Sequence, residues 1–218
     1  MKKMTFAIAA LLMMATACKK AEDKAVDTAA SATDTTAVVK DETPAAPMDS
    51  VAMQKAWEAY ATPGPAHKML AMDNGTWDEE STMWMSANDT KPTKAKMVGT
   101  SKMILGGRYQ EMRHTGNFMG MPFEGIGTMG YDNASKKLVS SWVDNMGTGI
   151  MYMSGAYDGT SKKMELSGDC TDPMTGKTKS VRETYEIIDD NTRKMEMYET
   201  SGGQKEFKTM EITMTRKK

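Results

Sequence analysis

Beyond Gly75 the chain alternates between apolar and polar residues, and turn-forming residues recur about every ten positions. Alternation with a period of two is typical of a β-strand that buries one face. The pattern predicts ten strands, at Trp77–Met85, Lys94–Met103, Arg108–Thr115, Phe123–Tyr131, Lys137–Asp144, Gly149–Tyr157, Lys163–Asp169, Lys177–Ile188, Arg193–Glu199 and Lys205–Arg216. Short consecutive strands joined by tight turns predict a mainly β, antiparallel, up-and-down sheet. Closing it into a barrel removes the exposed edges, so we favour a barrel.

The segment before these strands has helical spacing. Asp49 or Ser50 can cap a helix that ends at Pro63-Gly64-Pro65, and a second short helix is predicted over Ala66–Met72. The apolar residues that fall roughly on one face of the first helix are Val51, Met53, Trp57 and Tyr60. We therefore predict one folded domain over residues 50–218, made of one or two short helices and the barrel.

The chain upstream of this domain has the composition of a disordered linker. Residues 19–49 consist mainly of Ala, Thr, Asp, Lys, Glu and Pro and contain no aromatic residue. Such a segment cannot bury enough apolar surface to offset the entropy of ordering it. We expect residues 18–49 to act as a disordered N-terminal tether.

The first residues carry an export signal. Two lysines and a short apolar run precede Ala15-Thr16-Ala17-Cys18, and the run is too short to span a bilayer. The pattern resembles a bacterial lipoprotein signal, in which the peptidase cuts before the cysteine and the cysteine is acylated. The resemblance implies that residues 1–17 are removed and that lipid on Cys18 anchors the chain. The expected location is the outer membrane of a Gram-negative bacterium, on its periplasmic or outer surface. An ordinary secreted protein cut after Ala17 is the alternative.

The charge and the cysteine content exclude some classes of function and of stabilising bond. The chain has 28 basic and 29 acidic residues, so nothing indicates a nucleic-acid partner. Once Cys18 is acylated only Cys170 remains, and no intramolecular disulfide can form. Cys170 is predicted to lie in a turn without a neighbouring base, which favours an unreactive thiol.

Methionine is used far more than leucine, with 25 methionines against six leucines. Several methionines are spaced two apart, so each pair shares one face of a strand. We interpret them as core residues in place of leucine. Two alternatives remain: a deformable wall for apolar ligands, or Cu(I) bound through thioethers. The copper ligands would be Met83, Met85, Met151, Met153, Met195 and Met197.

Motifs for catalysis or cofactor binding are absent from the sequence. It has no Gly-rich phosphate loop, nucleophile elbow, His-Glu-x-x-His or paired-cysteine zinc spacing, so we predict no catalytic residue and no cofactor. Glu79 shares a face with Trp77, and a carboxylate inside the barrel needs a partner, for which Arg113 or Arg182 is available. The predicted ligand-binding residues are Trp77, Glu79, Arg113, Trp142 and Arg182. His114 is a satisfied or surface histidine in the favoured interpretation and a haem ligand in the alternative.

Several short motifs resemble one known family. Gly75-Thr76-Trp77 looks like the Gly-x-Trp entry of lipocalin-like barrels, in which the indole closes the bottom. The motifs that extend the resemblance are Leu105-Gly106-Gly107-Arg108-Tyr109, Pro122-Phe123-Glu124-Gly125-Ile126-Gly127, Gly130-Tyr131-Asp132-Asn133, Trp142-Val143-Asp144 and Asp172-Pro173-Met174-Thr175-Gly176-Lys177. Over about Ala66–Thr215 the chain resembles domain-of-unknown-function family 1579. The resemblance implies a lipocalin-like β-barrel, often exported, and brings no established activity.

Together these observations predict a membrane-anchored lipoprotein whose barrel binds a small apolar ligand. If the protein is instead an enzyme, we expect an envelope hydrolase or isomerase that uses Glu79 or His114 as a base. The alternative from the metal class is Cu(I) binding or storage.

Overall fold

Two helices precede ten strands in this protein, for which a computed structural model describes residues 49–157 and 162–218. The elements are α1 (Ser50–Ala61), α2 (Pro65–Ala71), β1 (Gly75–Met83), β2 (Thr93–Ile104), β3 (Tyr109–Phe118), β4 (Met121–Asp132), β5 (Lys137–Asp144), β6 (Met151–Ala156), β7 (Lys163–Thr171), β8 (Thr178–Ile187), β9 (Thr192–Ser201) and β10 (Phe207–Arg216). All ten predicted strands are confirmed, with ends that differ by at most three residues. The predicted signal peptide, Cys18 and the linker up to residue 48 lie outside the described residues.

The strands form one closed antiparallel barrel. Each strand pairs with the next in the chain, and β10 pairs with β1 to close the sheet. The predicted up-and-down barrel is therefore confirmed. The wall between β6 and β7 is unusually tight, because a Cβ at Gly155 or Gly168 would overlap a main-chain carbonyl oxygen of the facing strand. These two glycines let the backbones approach at a place where larger residues would separate them.

The two helices differ in how they contact the barrel. The α1 helix begins with a cap in which the Asp49 side chain accepts a hydrogen bond from Ala52 N at 2.8 Å, and it has no buried residue. Asn133, in the turn after β4, donates to main-chain carbonyls at the end of α1. In contrast, α2 buries Leu70 and packs against β2, β3 and β4, so it covers one end of the barrel. Neither helix has the length and apolar composition needed to cross a membrane.

Methionine fills much of the interior. Seven of the fifteen buried hydrophobic residues of the described chain are methionines. They are Met69, Met97, Met129, Met153, Met164, Met195 and Met214. An unbranched side chain with three rotatable bonds fills irregular space between strands. The structure therefore agrees with the interpretation of methionine as a core residue.

Candidate functional site

A buried carboxylate and an imidazole meet inside the barrel. Glu79 and His114 each lie near the centre of their strand and point inward, and Glu79 Oε2 lies 2.9 Å from His114 Nδ1. The Glu79 side chain is 2% exposed, whereas that of His114 is 15% exposed. His114 is therefore inward-facing and still keeps some accessible surface.

Glycine at one inner position makes this pair possible. Gly99 lies on β2 between the two strands, opposite Trp77 on one side and His114 on the other. A Cβ at Gly99 would overlap Glu79 Oε1. The carboxylate of Glu79 therefore crosses the face of β2 only because position 99 has no side chain, and it reaches a histidine two strands away.

An aromatic group adjoins the pair on the other side. The Trp142 ring lies 5.2 Å from the His114 ring and stacks with Phe123 at 6.4 Å between centroids. Its indole Nε1 donates to Asp144 Oδ2 at 2.7 Å. A Cβ at Gly125 would overlap the Trp142 ring, so glycine again provides the room. Trp142 thus lines the interior, in register with the inward-facing Gly127.

A second carboxylate faces the interior from the opposite side of the barrel. Glu183 lies near the centre of β8, on the same face as the buried residues Val181 and Ile187. Since β8 is five strands from β3 in a barrel of ten, Glu183 and His114 stand on opposite walls. Burial raises the pKa of the Glu183 carboxyl to about 7, and the nearby His114 opposes this rise.

The predicted arginine partners of Glu79 are wrong. Arg113 points outward from β3 and pairs with Glu111 at 3.3 Å, because it lies one residue from the inward-facing His114. Arg182 points outward from β8 and pairs with Glu165 and Glu206 on the outer surface. Neither arginine reaches the interior, and the partner of Glu79 is His114.

Trp77 lies at the end of the barrel that α2 covers. It is 4% exposed, its Nε1 donates to Asp73 O at 2.8 Å, and the guanidinium groups of Arg193 and Arg216 lie over its ring. Arg193 in turn donates to Asp73 Oδ1 at 2.7 Å. Tyr185 donates to the other oxygen of the same carboxylate. Burial raises the pKa of Tyr185, so it remains a donor. Trp77 closes this end of the barrel, as the Gly-x-Trp resemblance implies.

The methionines proposed as copper ligands are divided among several places. Met153 belongs to one buried cluster and Met195 to the other, while Met151 and Met197 pack beside them. Met85 lies beyond the end of β1 and is 76% exposed. Among the described residues, no group of three His, Cys, Asp or Glu side chains could hold a metal ion. Copper binding stays an untested alternative.

The predicted position of Cys170 in a turn is wrong, because this residue lies in β7 and packs against the larger buried cluster. The apolar and polar residues at the end of β7 continue the alternation further than the turn signals indicate. Burial raises the pKa of the Cys170 thiol. A protonated thiol is a poor nucleophile, which agrees with the prediction that Cys170 is unreactive.

A depression of about 490 Å³ lies along β1, β2 and β3. Its lining includes Asp78, Glu80, Lys96, Val98 and Thr115, which alternate to the outside of the barrel, together with the inward-facing Glu79, Met97 and Gly116. Lys96 and Glu80 pair with each other at 2.9 Å and are both well exposed. This surface offers charges that already have partners in solvent, so the interior group is the stronger candidate site.

The fold defines a closed β-barrel protein that carries a group of polar side chains at the centre of its interior. The family model described as "Protein of unknown function (DUF1579)" matches residues 62–216, more than half of the chain, and the chain belongs to this family. No curated protein matches the sequence.

Several solved structures match this chain, and two of them illustrate the range. Rv2717c from M. tuberculosis is 15% identical, covers 72% of this chain and 100% of its own, and superposes with a TM-score of 0.55. A redesigned β-barrel is 12% identical, covers 69% of this chain and 96% of its own, and has a TM-score of 0.38. The first likeness supports the fold alone, and the second supports no inference.

Proposed function

We propose that the barrel binds a small, mainly apolar ligand in its lumen, with one polar group of the ligand directed at the centre. The observation that carries this proposal is the group Glu79, His114 and Glu183, which lies inside a wall of methionines. A site with a mostly apolar lining and a few convergent polar groups is typical of small-molecule binding.

Accessible surface inside the barrel supports the proposal. Met112, Met151 and Met197 face inward yet are only partly buried. Inward-facing side chains keep accessible surface only where the lumen is not filled. Flexible thioether side chains can also adjust to the shape of an apolar molecule.

The end of the barrel opposite α2 supports entry of such a ligand. The loops at this end carry exposed apolar side chains, namely Met85, Met119, Met121, Met146, Ile150 and Met174. Met119 is a non-glycine residue with a positive φ of 52° at the tip of the β3–β4 turn, where an exposed methionine contributes nothing to the core. An apolar rim lowers the barrier for an apolar molecule that enters the barrel.

Native mass spectrometry of the protein purified from its own host tests this function. The expected result is an added mass that corresponds to one small organic molecule and is lost on denaturation. Added copper or haem would give distinct masses and would support those alternatives instead. Protein that carries no added mass, and that takes up none of the apolar molecules offered to it, would contradict lumen binding.

The same proposal includes a lipid anchor on Cys18 at the outer membrane. It is supported by the sequence that precedes Cys18 and by the linker-like composition of residues 19–49. The variant Cys18→Ser removes the acylated thiol and leaves the barrel unchanged. We expect this variant to be folded and to leave the membrane fraction, whereas a Cys170→Ser control stays in it. Equal membrane retention of both variants would reject the anchor.

The hydrogen-bonded pair Glu79–His114 also favours a second candidate, an enzyme in which the pair moves a proton. Hydrolase or isomerase activity toward apolar esters or ketones would have to be lost in Glu79→Gln while binding of the same molecules persists. Activity that is unchanged in this variant would exclude the pair as the catalytic base.

A further inference from the structure

Among the described residues, the charged side chains that face the interior have an ion-pair or hydrogen-bond partner, with one exception. At the end opposite α2, Lys179 and Glu199 form an ion pair at 2.8 Å, and at the end that α2 covers Arg193 pairs with Asp73 at 2.7 Å. Between these two ion pairs, Glu79 is hydrogen-bonded to His114. Among the residues that the structure describes, Glu183 accepts no hydrogen bond and forms no ion pair.

An unpaired carboxylate is costly in such a place. Glu183 lies between Leu166 of β7 and Met197 of β9 in the register of the sheet, so its neighbours along the wall are apolar. Removing a charge from water without a partner is strongly unfavourable. Glu183 nevertheless keeps partial access to the lumen, because it is inward-facing and only partly buried. A group within the lumen can therefore reach it.

The balance of charge at the centre indicates what that group is. Glu79 and Glu183 supply two carboxylates at the middle of their strands, and His114 is one imidazole that is already hydrogen-bonded to Glu79. A third inward-facing carboxylate, Asp144 at the end of β5, accepts a hydrogen bond from the Trp142 indole. A ligand with a carboxylate would add another anion, and one with a hydroxyl could donate a hydrogen bond to Glu183 but would bring no positive charge to balance its ionised form. A cationic group completes the balance and donates the hydrogen bond that Glu183 lacks.

We propose that the lumen selects apolar molecules that carry a cationic ammonium group, and that Glu183 binds this group. The proposal rests on the proposed function, since it names the chemical class of the ligand of the same lumen. It adds a binding residue on β8 and a head group, neither of which follows from the barrel fold alone.

Three probes with one shared chain separate the head group from the apolar part: decylamine, decanol and decanoate. Binding is measured at neutral pH with the full-length mature protein, its Glu183→Gln variant and a matched control, Glu124→Gln. Glu124 is an exposed carboxylate on the outer face of β4. The glutamine at position 183 keeps the shape of the side chain and removes its charge. Circular dichroism verifies that each variant is folded.

We expect decylamine to bind the unchanged protein about tenfold more tightly than decanol, because a hydrogen bond to a charged group is worth about that factor in affinity. Decanoate should bind most weakly. In Glu183→Gln the amine and the alcohol should bind within about threefold of each other, whereas Glu124→Gln should keep the full preference.

Equal affinity of the unchanged protein for amine and alcohol, or a preference that survives in Glu183→Gln, would overturn the cationic head group. Either result leaves lumen binding in place. If none of the three probes binds, the proposed lumen site itself is contradicted. The two failures are therefore distinct.

Discussion

Replacing Glu183 with glutamine should stabilise the empty barrel in a way that depends on pH. The pKa of Glu183 is raised from 4.5 to about 7 by burial. Between these values the folded protein binds a proton that the unfolded chain has released, so the free energy of unfolding falls as the pH rises from about 4.5 to about 7. A tenfold change in proton affinity between the folded and unfolded chains corresponds to about 1.4 kcal/mol. The free energy of unfolding should therefore fall by about 3 kcal/mol in total between pH 4.5 and about 7.

Urea unfolding of the unliganded protein and of Glu183→Gln at pH 4, 5.5 and 8 measures this cost. At pH 4 the carboxyl is protonated and resembles the amide, so the two proteins should be similar in stability. At pH 8 the variant should be more stable by about 3 kcal/mol.

His114 faces Glu183 across the barrel, and both proteins contain it. The difference between them therefore isolates Glu183 and its coupling to His114. In the control Glu124→Gln the stability should follow that of the unchanged protein at every pH. A difference between Glu183→Gln and the unchanged protein that does not vary with pH, or a variant that is less stable at pH 8, would refute the account of Glu183 as a carboxylate without a partner in the barrel interior.

Two further predictions concern the glycines of the inner wall, measured by urea unfolding against Gly149→Ala, where a Cβ meets nothing within 4 Å. Gly99→Ala should lower the free energy of unfolding by about 1–3 kcal/mol, because its Cβ displaces the Glu79 carboxylate from His114. Gly168→Ala should cost at least as much, because its Cβ meets the main-chain carbonyl of Tyr152, which cannot move unless β6 and β7 separate. Substitutions as mild as the Gly149→Ala control would show that the wall has room that the structure does not indicate.

The strands could be predicted because their signal is local. Lys137–Asp144 has the same bounds in the sequence prediction and in the structure, since alternation within the strand and turn residues beside it decide its extent. Other ends move by up to three residues, because pairing with the neighbouring strand decides whether a terminal residue joins the sheet. The ends of β3 illustrate this: Asn117 and Phe118 pair with Pro122 and Met121 of the hairpin although they break the alternation.

The partner of Glu79 could not be predicted, because alternation identifies the face of a residue and not its neighbour across two strands. The arginines are suitable by charge, but each lies on the outer face of its strand. One signal was available: Gly99 interrupts the middle of a strand, and an isolated glycine there indicates a close approach by another group. Its register with His114 is known only from the pairing of β2 with β3.

The role of Glu183 in the interior could not be predicted, for a different reason. The alternation in β8 places Glu183 on the face of Val181, Tyr185 and Ile187, and Arg182 on the opposite face. Both faces of this strand carry polar residues, but its three apolar residues all lie on the face of Glu183. Charge complementarity with Glu79 favours the adjacent arginine, although the apolar residues already indicate that Glu183 points inward.

The loss of stability caused by an unpaired Glu183 and the proposed selectivity for a cation are linked, because a bound cation would supply the partner that Glu183 lacks. A ligand that binds only the folded state stabilises it by about 2.7 kcal/mol at a concentration one hundred times its dissociation constant. An ammonium group beside Glu183 also favours the ionised carboxylate, so bound decylamine should lower the pKa of Glu183 toward its ordinary value. The loss of stability between pH 4.5 and about 7 should then shrink in the presence of saturating decylamine and persist with decanol. An amine that raises the stability of the unchanged protein and of Glu183→Gln by the same amount at every pH would show that it binds elsewhere, because only a group in contact with Glu183 can restore the pairing that the empty barrel lacks.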